Sequence, residues 1–125
     1  MKLFTVEEAN ALLPTVRGIV GRIQRAYSRV SAAQEQARLA AAAATHGGGG
    51  MEGGGAYVLS LSELAEASGQ LEELGVQLKD YERGLIDFPA MREGRVVLLC
   101  WQLGEGDELE WWHDLEAGFA GRQPL

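Results

Sequence analysis

From Val16 onward, apolar residues recur at helical spacing. Val16, Ile19, Ile23, Ala26, Val30, Ala33, Ala37 and Ala40 lie three and four residues apart in strict alternation, a heptad seam widened by Val20 and Tyr27. The seam thins to alanine at its far end, where close helix approach is allowed. Upstream, Thr5-Val6-Glu7-Glu8 reads as a capping box, with Phe4 placed to fold back on the first turn. Pro14 cannot donate to the Asn10 carbonyl, so residues 5–45 are expected to form one long helix kinked at Pro14. Residues 46–55 hold seven glycines and form a flexible loop. With no Lys-Ser/Thr beside them, they do not make a phosphate-binding loop. Residues 56–75 read as a second helix, with Ser60-x-x-Glu63 as a capping box, Leu64, Ala67, Leu71 and Leu74 as its seam and Gly75 as its end.

After Gly75 the period changes from helical to two. Residues 76–79, 84–88, 96–101 and 109–113 read as strands, the second ended by Pro89 and followed by the turn signal Arg92-Glu93-Gly94. Val96 to Trp101 is apolar on both faces, as in a central or covered strand. Residues 118–125 read as loop. The expected fold is a single α+β domain over residues 1–125: a long antiparallel helical hairpin, then a small antiparallel three- or four-stranded β-meander and C-terminal tail over 76–125.

Charge sharpens the hairpin. Residues 1–45 hold six basic against three acidic groups, 46–74 hold five acidic and no basic groups, and 75–125 hold five basic against ten acidic. Arg22, Arg25 and Arg29 form one stripe on the first helix, and Glu63, Glu66, Glu72 and Glu73 face them from the second. RNA binding through the arginine stripe is the weaker alternative, because no interleaved aromatics accompany it and the net charge is -7. One cysteine forms no internal disulfide, and no apolar run reaches membrane-spanning length, so a cytoplasmic protein is expected.

The candidate chemistry crowds into Cys100–His113 and the tail after it. This window holds Trp101, Trp111, Trp112 and Cys100. His113, Asp87, Asp114 and Glu116 are the candidate acid–base or metal groups. Strand alternation points His113 and Asp114 to opposite faces and splits Trp111 from Trp112. Asp87 stands between Ile86 and Phe88, where a semi-buried carboxylate needs a partner, with Arg95, Arg122 and His113 as candidates. Cys100 reads as core, its thiol pKa raised by apolar surroundings. Two candidate ligands, His113 and Cys100, are too few for zinc, so no metal or cofactor is expected.

Several segments together resemble the bacterial family known as domain of unknown function 2203. They are Phe4 to Pro14, Gly84-Leu85-Ile86-Asp87-Phe88-Pro89, Leu99-Cys100-Trp101, Trp111-Trp112-His113 and Gly118 to Pro124. The resemblance runs nearly end to end, omits the glycine loop and implies no activity. The residues themselves favour a non-enzymatic interaction module. Homo-oligomerisation is expected through the seam of Val16, Ile19, Ile23 and Val30, and a protein partner or small ligand on a surface of Trp101, Trp111, Trp112 and Arg122. The alternative is a small enzyme or metal-binding protein centred on Asp87, His113 and Arg122, which requires these side chains to converge.

Overall fold

A computed structural model describes residues 1–43 and 54–125. Most of the glycine loop expected at 46–55 lies outside the described residues. Two helices, α1 (Val6–Ala43) and α2 (Gly54–Glu73), precede five strands: β1 (Gln77–Asp80), β2 (Leu85–Arg92), β3 (Arg95–Gln102), β4 (Trp111–Asp114) and β5 (Gln123–Pro124). The strands form one antiparallel sheet in the order β1-β2-β3-β4-β5. The expected α+β class and hairpin-then-meander order hold. Among the described residues, no helix is long and apolar enough to cross a membrane.

The start of α1 is the capping box read from the sequence. Thr5 N–H donates to Glu8 Oε1 at 2.9 Å, and Glu8 N–H donates to Thr5 Oγ1 at 3.0 Å. The helix continues through Pro14 without restarting. Asn10 turns its side chain to the segment leading into β4, where Oδ1 accepts from Leu109 N–H at 2.7 Å.

The second helix corrects one expectation. It begins at Gly54, so Ser60 lies inside it, is buried and caps nothing. Glu63 serves the hairpin instead, accepting from Arg22 Nε at 2.7 Å, while Arg22 Nη1 donates to Gln70 Oε1 at 3.0 Å. The opposed stripes therefore meet at Glu63 and Glu66: Arg22 also stands 4.0 Å from Glu66, and the charges of Arg25 and Arg29 act on Glu63. The C-terminus follows a Schellman motif. Val76 N–H reaches Leu71 O, Gly75 N–H reaches Glu72 O, and Gly75 sits at φ 85°.

The sheet departs from expectation at Pro89 and at the tail. The second strand runs through Pro89 to Arg92, pairing Pro89 with Leu98. The Pro89 carbonyl accepts from Phe4 N–H at 2.7 Å. A strand residue's N–H and C=O point the same way, so the missing N–H faces away from β3 and costs the ladder nothing. Glu93 and Gly94 then turn the chain with φ 51° and 80°, the positive pair of a type I′ hairpin. The tail adds a fifth strand, pairing Gln123 with Trp112 and Pro124 with Trp111.

The core lies between the hairpin and one face of the sheet. It joins Ala9, Leu13, Val16, Ile19, Val20 and Ile23 of α1 and Ala67 and Leu71 of α2 to Ile86, Phe88, Ala90, Val97, Leu99, Trp101 and Trp112. Val16, Ile19, Ile23 and Val30, expected as an oligomer seam, are all buried within the chain. The correction has a simple cause: a heptad seam records that a helix needs an apolar partner, and here its own sheet and α2 supply one.

Candidate functional site

The other sheet face holds the chemistry. In an antiparallel ladder, directly paired residues project to the same side. Gln77 pairs with Asp87, Asp87 with Cys100, and Cys100 with Trp111. His113, two residues beyond Trp111, shares that face and pairs with Leu98. Strand alternation thus brings together three reactive side chains that are 13 or more residues apart in sequence.

Asp87, Cys100 and His113 are only 1%, 1% and 3% exposed. Their ligand atoms lie within 4.8 Å of one another. His113 Nε2 is 3.1 Å from Asp87 Oδ1, and Nδ1 is 2.8 Å from the Asp114 carbonyl oxygen. A carbonyl only accepts, so Nδ1 carries a proton. A second proton then lies between Nε2 and Oδ1, held either as imidazolium–carboxylate or as imidazole–carboxylic acid. Burial pushes the Asp87 carboxyl above its usual range, opposed by the His113 charge, by hydrogen bonds from Cys100 and His113, and by Lys79. Lys79 Nζ stands 4.0 Å from Asp87 Oδ2. Burial first, then the Asp87 charge, pushes the Cys100 thiol up to about 12. It is a protonated thiol and not a free nucleophile.

Arg122 lies beside this group and not across Asp87. Its Nη1 and Nη2 fork onto Glu105 at 2.8 and 2.6 Å, and Nη2 also reaches the Cys100 carbonyl at 3.4 Å. The fork holds Glu105 below the usual carboxylate range. The guanidinium stacks 5.3 Å from the Trp111 ring and 4.5 Å from Phe119, and Arg83 covers Phe119 at 4.3 Å. The tail is thereby pinned to the sheet by alternating aromatic rings and guanidinium groups.

The remaining candidates separate. Arg95 pairs with Asp114 at 2.9 Å and so is not the partner of Asp87. Glu116 is exposed, away from the buried group, and lines a shallow surface hollow with Arg95, Val96, Asp114 and Leu115. Trp101 and Trp112 belong to the helix-side core and offer no partner surface. Trp111 alone of the three is half-buried, on the opposite face from Trp112. Lys79 and Glu105 were missed. Alternation from Gln77 places Lys79 on the Asp87 face, so a signal existed once the β1–β2 register was known. Nothing in the sequence joins Glu105 to Arg122.

These features define a class: a two-helix hairpin packed on one face of a five-stranded antiparallel meander, with a buried carboxylate–thiol–imidazole group on the other. The family model described as "Uncharacterized conserved protein (DUF2203)" matches residues 2–125, and the chain belongs to that family. No curated protein and no solved structure matches the chain.

Proposed function

We propose that this protein is a non-enzymatic association module that pairs with a second copy of itself through the outer half of its helical hairpin. The single supporting observation is a set of large aliphatic side chains left in solvent there. Leu39, Val58 and Leu59 are 54%, 58% and 72% exposed, and Leu61 is exposed as well. The last buried residue of α1 is Val30, well before the helix end at Ala43. At about 1.5 Å per residue, α1 is roughly 57 Å long, beyond the diameter of a globule of this size. Exposed apolar surface of this kind marks an interaction site.

Charge favours a second copy as the partner. The chain carries -7 overall, so two copies repel over most of their surfaces. Residues 31–43 and 54–62 carry one Glu35 and one Arg38, and these two pair with each other at 2.7 Å. The described part of the outer arm is therefore neutral, and its alanines allow helices to approach closely. Arg22 is engaged by Glu63, and the charges of Arg25 and Arg29 also act on Glu63, so nucleic acid has no part in this reading. An enzyme built on Asp87 and His113 would need substrate to touch two side chains that offer almost no surface. The unpaired cysteine accords with a cytoplasmic location.

Sedimentation equilibrium tests the proposal. The expected mass is twice the 13.5 kDa of one chain at micromolar concentration, and the double variant Val58→Glu, Leu59→Glu is expected to be monomeric with unchanged helix content. A wild-type monomer throughout that range overturns it.

A further inference from the structure

We infer that Asp87, Cys100 and His113 form a binding site for one zinc-type divalent metal ion on the helix-free face of the sheet. The donor set is one carboxylate oxygen, one sulfur and one imidazole nitrogen, all within 4.8 Å of one another. Zinc takes this combination, whereas calcium and magnesium require oxygen ligands throughout. Tetrahedral zinc, with bonds of about 2.0–2.3 Å, separates its ligand atoms by roughly 3.3–3.8 Å. The widest pair therefore needs to close by about 1.5 Å at most, within reach of side-chain rotation.

The surroundings suit a ligand group. Three neighbouring strands hold the donors at registered positions, so their spacing is set by the sheet. His113 donates from Nδ1 to the Asp114 carbonyl, the contact that fixes a ligating imidazole with Nε2 forward. Lys79 stands by Asp87 Oδ2, leaving Oδ1 as the atom turned toward His113. Charge permits the ion. A divalent ion with one thiolate and one carboxylate is electrically neutral, as the metal-free group is, and the Lys79 ammonium beside Asp87 is partly exposed to solvent. Binding releases two protons to solvent, the Cys100 thiol proton and the one held between His113 Nε2 and Asp87 Oδ1, as the ion takes the sulfur, nitrogen and oxygen lone pairs. Three protein ligands leave the fourth coordination position for a water molecule. The sequence lacked this reading because His113 and Cys100 gave two donors, and only the β2–β3 register brings Asp87 to them.

Cobalt substitution of the full chain tests the site. Expected results are one zinc per chain retained after dialysis against metal-free buffer and, with cobalt, a thiolate-to-metal charge-transfer absorption with tetrahedral visible bands. Cys100 is the only cysteine, so that absorption reports this position without any variant. Cys100→Ser, with its fold checked by circular dichroism, is expected to lose the band and weaken zinc retention roughly hundredfold or more. Zinc well below one per chain, or a cobalt spectrum without the thiolate band, overturns the inference. Stoichiometry per chain is read equally on monomer and dimer, so the result stands apart from self-association.

Discussion

His113 and Asp87 are partners that neither can lose cheaply. Each is buried, and the Asp87 Oδ1–His113 Nε2 contact at 3.1 Å joins the two side chains directly, while His113 Nδ1 is held by the Asp114 carbonyl. Removing one leaves the facing atom of the other, Oδ1 or Nε2, buried without that counterpart. His113→Ala is therefore expected to cost about 3 kcal/mol in urea unfolding of metal-free protein, and Asp87→Ala a similar amount. The double variant is expected to cost less than the two together, by more than about 0.5 kcal/mol. Additivity within that margin would mean the two side chains do not act as a pair. The sequence pointed to Asp87 because a carboxylate between Ile86 and Phe88 had to find a partner. It left Arg95, Arg122 and His113 equally eligible, and register chose His113.

Among the elements, the turn at Gly84 shows how tightly the sheet is set on the hairpin. Gly84 sits at φ 65°, and a Cβ there would stand 2.7 Å from Leu103 Cβ and 2.9 Å from Val20 Cγ1. Gly94, at φ 80°, has nothing within 4 Å of that position. Both conformations disfavour a side chain, but only Gly84 also meets packed neighbours. Gly84→Ala is expected to lower stability by about 3 kcal/mol and Gly94→Ala by about 1 kcal/mol in denaturant melts. Equal losses would show that backbone conformation alone matters at both turns. The same scale explains which boundaries were legible. The capping box at Thr5–Glu8 and the Gly75 stop depend on residues within one turn, and both are where the pattern put them. Ser60–Glu63 has an identical local signature, yet long-range contacts decide it: Arg22 takes Glu63, and the helix has already begun. Pro89 reads as a strand end by local rules and survives because that part of β2 turns its outer edge toward Phe4 and not toward a strand.

At the scale of the whole molecule, the C-terminal tail is tied to the sheet by Arg122. The fork onto Glu105 depresses the Glu105 carboxyl below its unfolded value. A group depressed in this way contributes stability above its unfolded pKa and loses it as pH falls through the folded pKa. The wild type is thus expected to lose stability below the ordinary carboxylate range, at about pH 4 and lower, more steeply than Glu105→Gln. Parallel pH-dependent melts check this, and coincident slopes would count against the latch. Local pattern was enough for the α+β class, the order of elements, the hairpin with its opposed charges and the opposite facing of Trp111 and Trp112, because helical and strand periodicity are short-range properties. It could not say what covers a face. The Val16–Val30 seam needed an apolar partner, and only the packed structure made that partner the chain's own sheet and α2. It could not add β5 either, since two residues have no period to read. The Cys100–His113 window held one half of a site and β2 the other, and the antiparallel register that joins Asp87 to Cys100 and His113 exists only once the sheet has formed.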